Sequence, residues 1–311
     1  MVSEKKLEFL CDVSGTRLDK YLTSRLPDYS RSQLQIILKQ GLITVNNSVV
    51  KAGYKLKSGD LIRVILPAPS PVSLEAQPVP LKIVYNDKDI IVLDKPAGLV
   101  VHPAPGHPDH TLVNALLSLF PELYKQDEGY RPGIVHRLDK DTSGLMVVAM
   151  NSRSKDNLMA QMKNREITKK YYALLEGHIT QKRGAIEAPV GRDPSHRQKM
   201  ALVSKGKYAR TTYKVTGYYG PNTLVEANLE TGRTHQIRLH FAGIGHPVTG
   251  DALYGKPSPV LKRQFLHSFY LKFRHPATDK EVEFSSPLPQ ELKDFISSLS
   301  EEGKVAQASR L

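Results

Sequence analysis

The chain has 311 residues, 44 of them Lys or Arg against 31 Asp or Glu, a net charge of +13, and 40% of it is hydrophobic. That length suits two domains, the apolar content excludes a disordered chain, and the charge favours a polyanionic partner whose phosphates it neutralises. A single cysteine, Cys11, excludes an internal disulfide and any multi-cysteine metal site, and no apolar run nears the ~18 residues of a membrane span.

From the N-terminus, Met1 to Phe9 mixes charges too evenly for a signal peptide, so the expectation is a cytoplasmic protein with no membrane partner. Residues 1–66 read as a small basic domain. Leu18, Tyr21 and Leu22 recur at helical spacing in a first short helix. Ser30 is the expected N-cap of a second helix, with Leu34, Ile37 and Leu38 as its buried stripe and Gly41 as its stop. Short β-prone pieces follow: Leu42 to Val45, a turn at Asn46-Asn47, Ser48 to Val50, a turn at Gly59-Asp60, then Leu61 to Leu66. From Arg17 to Leu66, nine Lys or Arg stand against three Asp. Arg31 and Lys39 fall off the apolar stripe of the second helix, where they suit a phosphate backbone.

Five prolines between Pro67 and Pro80 predict a semi-rigid linker over residues 67–80. Residues 81–299 read as one domain rich in short strands, with candidates Asp89–Asp94, Gly144–Met150, Lys170–Glu176, Arg210–Gly217 and Thr223–Glu230. Helices are expected over Thr111–Phe120 and Ser152–Asn164, the latter capped by Ser152. Residues 300–311 read as a polar tail that frays. The fold class expected is α+β, with a mixed, largely antiparallel sheet in the larger domain.

The segment His136-Arg137-Leu138-Asp139-Lys140-Asp141-Thr142-Ser143-Gly144 puts Asp139 between cations in a turn directly before an apolar run. Opposite charge favours the ionised carboxylate, the form needed to attack an electron-poor carbon or to remove a proton. Taken alone, a surface turn with a local ion pair has the same pattern.

The block resembles the signature of the ribosomal large subunit pseudouridine synthase A/D-type family, and further blocks resemble it in order. They are Lys95-Pro96-Ala97-Gly98 with Val101-His102-Pro103; Arg131-Pro132-Gly133-Ile134-Val135; Lys169-Lys170-Tyr171-Tyr172-Ala173; and Glu230-Thr231-Gly232-Arg233-Thr234-His235-Gln236-Ile237-Arg238-Leu239-His240, followed by Gly250-Asp251. The N-terminal module resembles the S-four-type RNA-binding domain of a small-subunit ribosomal protein. The resemblance implies a pseudouridine synthase fold and isomerisation of uridine in RNA without a cofactor. Ribosomal RNA of the large subunit is the leading substrate and transfer RNA the second.

The same resemblance makes Asp139 the catalytic aspartate, as nucleophile at C1′ or as base at C2′. It makes Tyr171 the aromatic residue whose ring packs on the target base and whose hydroxyl helps to deprotonate C5, and Arg238 the partner that holds the aspartate. Arg137, with His136 beside it, is implied to contact RNA around an extruded nucleotide, and extrusion is a chemical requirement for a stacked base. On composition alone Tyr171 and Tyr172 are equivalent, because alternation sends one to each face of a strand.

Other chemistries fit less well. His235 and His240 are five residues apart and point to different sides of a helix or strand, so they do not make a metal pair. Asp139 and Asp141 share one turn and cannot flank a glycosidic bond as two glycosidase acids must. Ser143 lacks the nucleophile-elbow context, and there is no phosphate-cradling loop for a nucleotide cofactor. A non-catalytic RNA-binding assembly factor remains the alternative of another class, and a monomer is the default state.

Overall fold

The computed structural model describes residues 5–26, 29, 31–66, 75–103, 107, 109–125, 132–194 and 199–308. The chain divides into two compact units, Met1–Val72 and Ser73–Leu311. Among the described residues no helix is long and apolar enough to cross a membrane.

The first unit contains β1 (Lys5–Leu10), α1 (Leu18–Arg25), α2 (Arg31–Lys39), β2 (Ile43–Val45), β3 (Ser48–Val49) and β4 (Leu61–Leu66). Its sheet runs β1-β4-β2-β3 and is antiparallel throughout. Helical spacing brings Leu18, Tyr21 and Leu22 of α1 and Leu34, Ile37 and Leu38 of α2 into one core with Ile43, Val45, Ile62 and Val64. α2 ends where Gly41 turns left-handed at φ +75°, with Leu42 N–H donating to Ile37 O and Gly41 N–H to Leu38 O. That double bond closes the helix as the glycine's position predicts. Asn46 and Asn47 both take positive φ, the conformation that a two-residue hairpin turn requires. Lys39 is exposed. The side chain of Arg31, the cap at Ser30 and residues 67–74 of the linker lie outside the described residues.

In the second unit come β5 (Lys82–Asn86), β6 (Ile90–Lys95), α3 (Leu112–Leu119), β7 (Ser143–Ala149), α4 (Ser152–Asn164) and β8 (Thr168–Glu176). They are followed by β9 (Arg183–Glu187), β10 (Val190–Arg192), β11 (Met200–Leu202), β12 (Arg210–Tyr219) and β13 (Asn222–Leu229). The last elements are α5 (Gln236–Gly243), β14 (Leu266–Arg274), β15 (Glu281–Ser285) and α6 (Gln290–Ala308). Among the described residues, one sheet of nine strands runs β5-β6-β7-β14-β8-β13-β12-β9, with β15 added to β14; β10 and β11 pair separately. Every pairing in the large sheet is antiparallel except β7 with β14. Mixed α+β is therefore the fold class.

β7 is buried along its whole length, and alternation sorts it into two cores. Met146 and Val148 join Ile91, Leu93 and the apolar face of α3; Leu145 and Val147 join Ile90, Val92 and Leu158 of α4. Gly144 permits the parallel contact with β14: at φ +115°, a Cβ there would stand 2.2 Å from Ser268 O. Its place in the signature block thus has a backbone cause.

Two boundaries differ from expectation. Asn151, not Ser152, caps α4, its side chain accepting Ser154 N–H at 2.8 Å. The expected fraying tail is helical as far as Ala308, where α6 continues from a first stretch that buries Leu292 and packs Phe295, Ile296 and Leu299 on the core.

Candidate active site

Asp139 lies in the turn between Leu138, which is buried, and β7, and Thr142 N–H closes that turn onto Asp139 O. Two buried cations hold the turn by its carbonyls. Lys95 Nζ donates to the carbonyls of Pro96, Leu99 and Lys140 at 2.8–2.9 Å. Burial pulls this ammonium down to about 7, while the charges of Asp141 and Asp139 act to keep the proton. Arg263 donates from Nη1 to Asp141 O and from Nη2 to Ser143 Oγ, and is anchored by Glu291. Ser143 Oγ also pairs with His267 Nδ1 at 2.9 Å. The carboxylate therefore stands on a backbone that is fixed from both sides.

Arg238 reaches the site from α5. His235, in the left-handed region at φ +57°, precedes the first helical residue, Gln236. Arg238 Nη1 donates to Asp139 Oδ2 at 3.3 Å. Its closer partner is Asp251, which takes Nε at 2.6 Å and Nη2 at 2.8 Å in a two-pronged bond. Asp251 is fully buried; burial pushes its carboxyl up, but Arg238 and the N–H groups of Leu253 and Tyr254 bring it net below the usual carboxylate range.

His235 was left without a role by sequence reasoning, yet its Nε2 lies 3.8 Å from Asp139 Oδ1. Its Nδ1 bonds Tyr254 Oη at 2.8 Å, and Tyr254 Oη accepts Met200 N–H. With the phenol proton given to Nδ1, the ring proton sits on Nε2, facing the carboxylate. Burial, chiefly, lowers the His235 pKa. His240 points elsewhere, its Nε2 bonding Ala188 O, so the two histidines do diverge as their spacing implies.

Tyr171 is buried on β8, opposite Ser268 of β14 in the strand ladder. Burial, and to a smaller degree Asp139, push its phenol well above the ordinary value, so it holds its proton at neutral pH. Tyr172 instead stacks on Phe269, centroids 3.8 Å apart and 13° between planes. His136 accepts Val147 N–H at Nε2, and burial lowers its pKa to about 3.

These groups open on one cavity of about 340 Å³, lined by His136, Arg137, Asp139, Tyr171, His235 and Arg238 among others. Six Lys or Arg side chains line it (Arg137, Lys163, Arg165, Lys169, Arg233 and Arg238) against the carboxylates of Asp139 and Glu230, and Glu230 is itself paired with Arg210. The volume lies at the small end of the range for small-ligand sites, and the excess of cations favours an anionic occupant.

Residues 89–243 match the RNA pseudouridylate synthase family model, and residues 16–62 match that of the S4 domain. An RNA pseudouridine synthase of Bacillus subtilis, YlyB, is 45% identical over 288 residues, 92% of this chain and 95% of the relative. The chain belongs to the RNA pseudouridylate synthase family. The ribosomal large subunit pseudouridine synthase D of Nitrosomonas europaea is 42% identical, over 93% of this chain and 86% of its own. The solved structure of human RNA pseudouridylate synthase domain containing 1 superposes with a TM-score of 0.55 at 31% identity, covering 71% of this chain and 94% of that one. The chain is accordingly an RNA pseudouridine synthase, an isomerase, with an N-terminal S4 domain.

Among the described residues, the group with metal-ligand character is Asp87, Asp89 and His275, away from the cavity. There His275 Nε2 is bonded to Asp87, and Nδ1 accepts the N–H groups of Ala277 and Thr278, so neither ring nitrogen is open to an ion. Asp251 was visible in the sequence only as the end of a motif; nothing in local spacing identified it as the principal partner of Arg238.

Proposed function

We propose that this enzyme converts specific uridines of large-subunit ribosomal RNA to pseudouridine, with Asp139 acting at the sugar, Arg238 and Asp251 positioning it, and Tyr171 packing on the extruded base. The observation that carries the reading is the convergence of Asp139, Arg238 and Tyr171 on one basic cavity. The substrate assignment is supported by relatives named for the large ribosomal subunit.

The reaction exchanges one bond for another. The N1–C1′ bond breaks, the base turns, C5 joins C1′, the C5 proton leaves and N1 takes one up. Both routes open to Asp139, attack on C1′ and removal of the C2′ proton, start from a carboxylate aimed at the sugar. Arg238 supplies the counter-charge at 3.3 Å, and His235 Nε2 offers a second donor. Arg137, exposed at the cavity wall, is placed to meet the RNA backbone or fill the gap left in the stack. His136 meets the substrate as a neutral ring, because its proton sits on Nδ1. Lys39 and Arg31, from α2 of the S4 domain, contribute phosphate contacts that position rather than specify. We read the enzyme as a cytoplasmic monomer that uses no cofactor, since the isomerisation transfers neither electrons nor a group to another molecule.

Pseudouridine mapping across total RNA from cells with and without this protein tests the assignment. Loss of one or more sites from large-subunit ribosomal RNA is the expected result. Loss confined to transfer RNA would replace the substrate and keep the chemistry. No release of tritium from C5-labelled uridine in either RNA would favour an assembly factor.

A further inference from the structure

Lys169 stands two residues before Tyr171 on β8, so both side chains face the cavity. Its Nζ lies 3.4 Å from Met162 Sδ, a weak acceptor, and among the described residues no carboxylate is within ion-pair distance of it. Its neighbour Lys170 pairs with Glu226 at 2.9 Å. Lys169 is only half-exposed, whereas Arg137, Lys163 and Arg165 at the same cavity are exposed. Burial has brought its pKa down to about 8. A partly desolvated ammonium without a counter-ion is costly, and an anionic group arriving in the cavity offsets that cost.

The substrate offers two such groups, a phosphate and the base. The exposed cations suit phosphates, which stay on the outside of an extruded nucleotide. Asp139, whose charge acts on the Tyr171 phenol, marks where the sugar carbon lies, and the base covers Tyr171. The edge of uracil opposite N1 then falls towards Lys169, and that edge carries the C4 carbonyl.

We propose that Lys169 donates from Nζ to O4 of the extruded uracil and stabilises the uracilate formed when the N1–C1′ bond breaks. The inference rests on the pseudouridine synthase reading and names a further catalytic residue within it. On cleavage the electron pair of the N1–C1′ bond stays with the base, whose charge spreads to O4 and O2. Asp139 either bonds to C1′ and is displaced from it when C5 attacks, or takes the C2′ proton and returns it at that point. The same pair then forms C5–C1′, with the C5 proton lost and N1 protonated. Because uracil is neutral before cleavage and anionic after it, the ammonium interacts more strongly with the transition state than with the bound substrate. An ammonium has donors and no acceptor, so it also rejects cytosine, which presents an amino group at that edge.

The test uses the full chain and a transcript carrying the uridine identified by mapping, with uridine or 4-thiouridine at that position. Single-turnover rate, RNA affinity and its salt slope are measured for wild type, K169M, K169Q and K169R. Expected for K169M is a rate loss of roughly 10²- to 10³-fold, with affinity and salt slope unchanged and the melting temperature equal or higher. K169R should recover part of the rate and K169Q less. The sulfur substitution should slow the wild type and add nothing in K169M, since both changes remove one contact. An unchanged rate, or a sulfur penalty that persists in K169M, overturns the proposal. So does lower affinity with a salt slope reduced by about 0.9, the signature of a lost phosphate contact. A wild-type enzyme inactive on the mapped transcript refutes the functional reading itself, a result distinct from all of these.

Discussion

Arg238 grips Asp251 with two short bonds and touches Asp139 with one longer one. The guanidinium is thus held by a fully buried carboxylate and presents its remaining nitrogen to the reacting one. Its plane is also backed by Tyr254, 5.1 Å from the ring centroid. This division of labour leaves Asp139 oriented without being locked, which an acid that must move towards a sugar carbon requires.

Asp251→Ala should therefore damage both turnover and stability. It leaves the Arg238 charge buried without its counter-ion, a loss of about 3–5 kcal/mol, and frees the guanidinium to leave Asp139. Asp139→Asn should abolish tritium release and keep the fold, because this side chain is partly exposed and its loss strands nothing. Urea denaturation beside tritium release separates the two. Equal stability in both variants would show that Asp251 is not the structural anchor.

Tyr171→Phe and Tyr172→Leu should fail differently. Tyr171 lines the cavity, and we assign its hydroxyl a part in removing the C5 proton, so loss of that hydroxyl should lower the single-turnover rate by roughly 10²-fold or more. Tyr172 is stacked on Phe269, so its loss should cost about 1 kcal/mol of stability and leave the rate per folded molecule intact. The reverse ranking would place the base on the other ring.

What the sequence made legible was whatever is set locally. The helices of the S4 domain, the Asn46-Asn47 hairpin and the apolar run of β7 each follow from a short pattern, and the order of the motif blocks identified the chemistry. Contacts made by distant segments were not legible. Asp251 follows Arg238 by 13 residues in a stretch without periodicity, and only the folded turn brings it back. β14 was missed because its central position places His267 and Ser268 inward, which spoils the polar–apolar alternation of a half-buried strand. The helix α6 was readable: Leu292, Phe295, Ile296 and Leu299 have helical spacing that the polar composition around them concealed. At Asn151-Ser152 two good capping residues stand side by side, and composition does not choose between them.

His136 makes stability depend on pH in a defined window. Its folded pKa is about 3, lowered mainly by burial, against an unfolded value near ~6.5. Between these values the unfolded chain binds more protons, so stability rises with pH. The contribution is complete above about pH 6.5 and is lost progressively as pH falls towards 3, when the Nε2 that accepts Val147 N–H is protonated. His136→Gln keeps an acceptor without a titration and should reduce the slope between about pH 6.5 and 5, the remainder coming from His235, His240 and His267, whose pKa burial also lowers. An unchanged slope there, in urea midpoints taken across the range, would remove His136 as the cause.

The S4 domain should account for much of the salt dependence of RNA binding. Its nine Lys or Arg between Arg17 and Leu66 stand against three Asp, and Lys39 is exposed at the end of α2. Each phosphate contact contributes a slope of about 0.7 to 0.9 in log affinity against log salt, depending on the strandedness of the RNA. The full chain and a chain lacking residues 1–66 should therefore differ in slope by several contacts, with the shorter chain weaker at low salt and the two converging as salt rises. Lys39→Ala alone should lower the slope by about one contact, uniformly across RNA sequences, because a phosphate contact carries no base information. Equal slopes for the full and shortened chains would mean that the cations of this domain neutralise no phosphate, and that RNA is held by the catalytic cavity and its rim alone.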